Sequence, residues 1–207
     1  MKIVKPNVEL VSHTPEPEKT IERMGRICYK SEAKISEDSA PEFIAMLLKR
    51  GHESVLEHAA ASFIITTDRG VTHEIVRHRL ASYSQESTRW CNYGNDRFGK
   101  EITVIRPPGL DTPRAEAQWV VAIEWAEKQY MDLLESGCSP QIARSVLPNS
   151  LKSEIGMTAN FREWRHFLKL RTGPAAHPQM QEVARTIAGI LCTLSPACFA
   201  EFDGKEV

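Results

Sequence analysis

The sequence predicts an α+β fold in a single domain, residues 1–207. Stretches of helical period dominate it. The strand-like stretches are few, irregularly spaced and not joined by the tight turns of an all-β chain. At 207 residues, 42% hydrophobic and 26% charged, the chain has ordinary globular composition and enough length for a core without disulfide staples.

The opening IVKPNVELVSHT reads as a strand turned at Pro6-Asn7, and PEPEKTIERMGRICYK as a helix after a proline-rich start. Ser39, Pro41 and Glu42 make a helix start, with Ser39 as the cap; FIAMLL follows, and Gly51 ends the element. AAASFIITT is β-branched and aromatic and reads as a buried strand, GVTHEIVRHRLA as a helix, and SYSQESTR as a polar loop. ITVI is a short strand closed by Pro107-Pro108. A long helix runs from Pro113 to Leu134, with Trp119, Val120, Ile123 and Tyr130 on one side. SLKSEIGMTA reads as a strand, Asn160 with Glu163 starts a helix through Arg171, and Pro178 starts the last long helix.

No run approaches the roughly 20 apolar residues that span a bilayer, and MKIVKPNVELV does not read as a secretory signal. Formal net charge is −1, which argues against a nucleic-acid module, and no RNA-binding motif occurs. The five cysteines are dispersed without C-x-x-C, as expected of reduced thiols in a cytoplasmic protein.

Four of the seven histidines lie between His52 and His78. Neither His52/His58 nor His73/His78 has the i, i+4 spacing that sets two imidazoles on one helix face, so no metal site is expected. On a helix from Gly70 at about 100° per residue, His78 and Arg79 fall on the apolar side, and a buried cation there needs an anionic partner. Hydroxyls and Arg89 in Ser82–Arg89 suit a phosphate, against a reading as a solvated loop. Arg171 falls among Trp164 and Phe167 on the apolar face of its helix, where it either meets a ligand or compensates the helix C-terminus; Arg162, Arg165 and Lys169 lie opposite, toward solvent. Gly94–Lys100 matches a phosphate-loop pattern, but Glu101 stands where Ser or Thr is required.

Arg77-His78-Arg79, seven residues and then Ser87 resemble the signature of the flavin-dependent thymidylate synthases. His52-Glu53-Ser54-Val55-Leu56-Glu57-His58 is similar to that family's H-x-[ST]-x-x-E-H segment, Ala143–Pro148 to its A-R-x-x-L-P, and Asn160–Arg171 to its N-x-R-x-x-x-H-F-x-x-L-R. The resemblance runs in order over about residues 50 to 180.

It implies a mixed or antiparallel sheet flanked by helices, in a homotetramer with active sites where subunits meet. It implies methylation of dUMP to dTMP, with methylenetetrahydrofolate as carbon donor, FAD as hydride carrier and NADPH as reductant. By position, His52, Ser54, Arg77, His78, Arg79, Gln85, Asn160, Arg162 and His166 match flavin-binding residues. Glu74, Arg77, Gln85, Glu86, Ser87, Thr88, Arg89, Arg144 and Arg171 match dUMP-binding residues, with Arg171 polarising the uracil ring as the catalytic group. Glu74 stands where many members carry Gln, and Trp90 where Tyr is more usual. Cys91 is expected to be a packed thiol rather than a nucleophile, and Ser87 a substrate-binding hydroxyl, because no base is paired with it.

Overall fold

A computed structural model describes residues 1–204. In chain order the elements are β1 (Lys2–Val4), β2 (Asn7–His13), α1 (Pro17–Ile27), α2 (Ala40–Lys49), β3 (Ala60–Asp68), α3 (Arg69–Ile75), β4 (Ala81–Gln85), β5 (Thr103–Ile105), α4 (Pro113–Glu135), α5 (Pro140–Ala143), β6 (Lys152–Asn160), α6 (Phe161–Arg171), α7 (Pro178–Leu194) and α8 (Pro196–Phe199). Short 3-10 turns intervene, the longest being Glu53–His58. β1 pairs in parallel with β5, and a four-stranded sheet has the order β2-β3-β6-β4. In the β3/β6 pair, Phe161 N–H donates to Ala59 O (2.8 Å) while Thr158 bonds Ser62, so the strands run antiparallel. The α+β class holds.

The chain divides into two compact units, each made of several segments. The first comprises residues 1–7, 66–77 and 84–155. Its core is Tyr93, Ile102, Val104, Ile123, Tyr130, Ala143 and Leu151, and Trp119 on α4 packs against it. The second comprises residues 8–65, 78–83 and those from 156 onward. There Ile21, Ile44, Leu47, Leu56, Phe63, Phe161, Trp164, Phe167, Leu168 and Leu191 are buried. The Trp164 indole N–H donates to Ala61 O at 3.0 Å, and its ring meets Phe63 edge-on at 5.0 Å.

β6 shows why its sequence forms a strand and delivers a site. Ser153, Ile155, Met157 and Ala159 are buried at every second residue, the period of a pleated strand. The strand then ends in Asn160, whose side chain accepts from Glu163 N–H (2.9 Å) and starts α6 without an intervening loop.

Three local expectations are corrected. The helix expected over Gly70–Ala81 stops at Ile75. A wheel drawn through Arg77, His78 and Arg79 therefore has no meaning: His78 is buried, whereas Arg77 and Arg79 are exposed. Ala81–Gln85, the end of that expected helix and the first half of the polar loop expected over Ser82–Arg89, is strand β4, because its backbone is satisfied by sheet pairing that local propensity does not report. Ser39 stands at the N-cap of α2 as expected, but its hydroxyl bonds no helix N–H; it donates to the buried Glu22 carboxylate and to Ser36 O instead.

Gly25 marks a close approach in the second unit. A β-carbon there would lie 2.6 Å from Phe43 Cε1 and 3.1 Å from Val55 Cγ1, so α1 sits against α2 and the 53–58 turn only without one. Gly25→Val should lower stability by about 1–3 kcal/mol through overpacking, read as a fall in the urea midpoint at unchanged slope.

Candidate functional site

In the second unit, four of the residues at one site come from α6. Asn160, Arg162, Glu163, His166 and Lys169, with Glu53, Glu57 and Leu80, line an open cleft of about 540 Å³, within the usual range for small-molecule sites. Arg162 pairs with Glu57 at 2.6 Å and Lys169 with Glu53 at 3.7 Å, both near solvent. Screened pairs of this kind hold weakly and can exchange for a ligand anion. The nine residues expected to contact flavin thus do not share one place: Asn160, Arg162 and His166 line the cleft, His52 and Ser54 are exposed at the 53–58 turn, Arg79 is exposed beyond α3, His78 is buried, and Arg77 and Gln85 belong to the first unit.

His78 lies against α6 and is 5% exposed. Its Nδ1 is 3.4 Å from Glu163 Oε1, and its Nε2 accepts from Arg171 Nε at 3.0 Å. The Phe167 ring covers it at 4.8 Å, His166 lies at 5.8 Å, and the Tyr83 hydroxyl donates to the His78 carbonyl at 2.6 Å. Burial, then the Arg171 and His166 charges, push the imidazole down to about 4, so it is neutral at physiological pH. Burial pushes Glu163 up, and burial with the nearby Glu163 pushes Tyr83 up to about 12.

Ligand atoms of His78, Glu163 and His166 lie within 4.8 Å of one another, a composition found in metal sites. The spacing of histidines in sequence could not reveal this group, because tertiary packing assembles it. The Arg171 guanidinium bonded to His78 is a fixed cation that opposes a dication there.

A second group lies in the first unit. Gln85 donates to Thr72 (2.9 Å) and Ser153 (3.1 Å). Glu86 accepts from the Tyr93 hydroxyl (2.9 Å) and from Lys152 (3.0 Å). Ser87 O accepts from the N–H groups of Trp90 and Cys91, closing a turn that leaves Arg89 and Trp90 exposed. Arg144 donates to buried Thr88 at 3.4 Å, and Arg89 donates to Gln141 at 3.1 Å. Ser87, Thr88, Arg89 and Arg144 are thereby gathered into a cationic, hydroxyl-bearing corner, which suits an oxyanion. Arg77 is exposed and Glu74 half-buried. Burial, with Glu86 adding, raises the Cys91 thiol, which opposes a thiolate nucleophile.

Arg171 is partly buried, as its place on the wheel of α6 requires. Arg165, expected in solvent, is 4% exposed and bonded to Cys198 O and Glu201. The C-terminal segment covers that face of α6, which one helix's period cannot show. Glu163 was missed as a site residue: its only signal was its place three residues after Asn160, where it reads as part of a helix start.

The titration of His78 has a measurable consequence. Its folded value is depressed below the ordinary 6.5, so its contribution to stability is complete above about pH 6.5 and is lost as pH falls toward 4. The loss is a few kcal/mol at most, each unit of pKa being worth about 1.4 kcal/mol. Glu163, raised by burial, works in the opposite direction over the acid range. Urea unfolding between about pH 7 and about pH 4.5 should lose stability more steeply for the native chain than for His78→Gln; parallel profiles would clear His78 of the effect.

Residues 9–197 match the family model described as thymidylate synthase complementing protein. A flavin-dependent thymidylate synthase of Mycobacterium avium (strain 104) is 35% identical over 212 residues, covering 90% of this chain and 82% of that protein. One from Geobacter sulfurreducens is 32% identical, covering 94% and 85%. The crystal structure of a UMP/dUMP methylase, PolB from Streptomyces cacaoi bound with 5-Br dUMP, superposes with a TM-score of 0.84 at 25% identity, covering 98% of this chain and 96% of that one. The order of motifs, the fold and the matched span agree: the chain belongs to the flavin-dependent thymidylate synthase family.

Proposed function

We propose that this protein, read as one domain over residues 1–207, is an enzyme that methylates dUMP to dTMP. It uses FAD as hydride carrier, methylenetetrahydrofolate as carbon donor and NADPH as reductant. The observation that carries the reading is Arg171, a guanidinium tied to a neutral, desolvated imidazole that packs against Glu163 and His166 of the cleft lining.

C5 of uracil becomes nucleophilic when negative charge on the ring carbonyls is stabilised. A pre-oriented guanidinium in a partly dry site does this, and losing such a donor raises a barrier by roughly 3–4 kcal/mol. Asn160, Arg162 and His166 would hold the flavin, which when bound supplies the hydride; Arg162 and Lys169 offer cations to its phosphates. His52, Ser54, Arg77, His78, Arg79 and Gln85 complete the expected flavin contacts. Ser87, Thr88, Arg89 and Arg144 receive the nucleotide phosphate, with Glu74, Arg77, Gln85, Glu86 and Arg171 around the nucleoside. The five free thiols suit the cytoplasm. Among the described residues, no helix is long and apolar enough to cross a membrane.

A homotetramer with active sites at subunit interfaces is part of the same proposal, and α4 offers a self-complementary face for it. Arg114, Gln118, Val121, Trp125, Lys128 and Asp132 recur at alternating steps of four and three, on the side away from buried Ile123 and Tyr130. Val121 is 64% and Trp125 63% exposed. An antiparallel two-fold centred at Ile123 sets Val121 against Trp125 of the second copy, Gln118 against Lys128 and Arg114 against Asp132, so unlike charges meet at both ends.

Two outcomes test the activity. With methylenetetrahydrofolate present, deuterium should pass from reduced deuterated flavin into dTMP, and label found only in solvent would refute the hydride route. Arg171→Ala should lower turnover by about 100-fold or more while flavin still binds, and near-native turnover would remove Arg171 from the chemistry. For the α4 face, Arg114→Glu should weaken self-association in sedimentation. Adding Asp132→Arg should restore it, whereas an unchanged assembly in Val121→Glu/Trp125→Glu would place the interface elsewhere.

A further inference from the structure

We infer that Glu163 is the positioning residue that sets the catalytic arginine, acting through the ring of His78. The inference rests on the proposed role of Arg171. It starts from an asymmetry of donors. An arginine Nε–H can only donate, so His78 Nε2, 3.0 Å away, must present its lone pair. A neutral imidazole then carries its proton on Nδ1, the nitrogen that faces Glu163 Oε1 at 3.4 Å. The carboxylate thus selects the tautomer in which the opposite edge of the ring can hold the guanidinium.

The surroundings leave the ring little alternative. Phe167 covers it, Tyr83 ties its backbone carbonyl, and His166 is the remaining titratable group packed beside it from α6. Glu163 is itself fixed, in the first turn of α6, where Asn160 already caps its N–H. The helix start therefore does not require the Glu163 carboxylate, and a buried carboxylate without a partner is costly. Its partner is His78, and the result of that partnership is the orientation of Arg171. No resemblance of motif assigns this position, because the signature leaves it as a variable residue between Arg162 and His166.

The test uses the flavin-loaded enzyme. Glu163→Ala should lower kcat tenfold to a hundredfold, counted per bound flavin. Glu163→Gln, whose side-chain carbonyl can still face Nδ1–H, should return it to within about threefold of native. In a cycle of dUMP dissociation constants, Glu163→Ala should weaken dUMP binding in the native background and not in Arg171→Ala, since its effect passes through that arginine. Equal losses in both backgrounds, or a fully active Glu163→Ala, would overturn the inference. The ¹⁵N chemical shifts of His78 in the native protein without dUMP provide a readout independent of activity. They should show Nδ1 protonated and Nε2 bare. The opposite tautomer would overturn the relay even in an active enzyme, and the expected tautomer in a chain that does not bind dUMP would fault the proposed function instead.

Discussion

The imidazole of His78 has two nitrogens and two demands on them. Arg171 needs an acceptor, Glu163 faces the other side, and burial keeps the ring neutral so that both can be met. A protonated ring would turn a donor toward the Arg171 N–H and repel its charge. The cluster is therefore a polar network whose members specify one another's protonation. In a low-dielectric setting such a network is stable only when complete.

The fold supplies the rigid parts of this arrangement within one unit. β6 alternates buried and outward residues until Asn160, then turns directly into α6 with its own cap. Glu163, His166 and Phe167 are set by that helix, and Trp164 locks it through a hydrogen bond to Ala61 and an edge contact with Phe63. The 53–58 turn lies against both α1 and α6, and Gly25 removes the side chain that would keep α1 away. In the other unit, the phosphate-suited corner is held by different means: side-chain bonds from Arg144 to Thr88 and from Arg89 to Gln141, beside the Glu86 carboxylate anchored by Tyr93 and Lys152.

Local periodicity was a good guide where an element's own residues satisfy its needs. The strand at Ala60–Asp68, the helix from Pro113, the strand before Asn160 and the helix through Arg171 were all legible, because apolar period and capping chemistry sit within the segment itself. It misled at Gly70–Ala81, where an apolar pattern continued past Ile75 while the chain left the helix and buried His78 against α6. It misled again at Arg165, whose burial depends on residues 198–201 folding over it.

The sequence by itself determined the family, through four motifs in register, and with it the kind of chemistry: cations, hydroxyls and imidazoles in an order that few chains share. It also determined the α+β class and most element types, since these follow from spacing along the chain. Only the tertiary structure decided that Arg79 faces solvent, that Arg171 rests on an imidazole, and that Glu163 stands behind that imidazole. Those facts are distances between residues far apart in the chain. They depend on which buried polar groups find partners after packing, and no residue's neighbours in sequence carry that information.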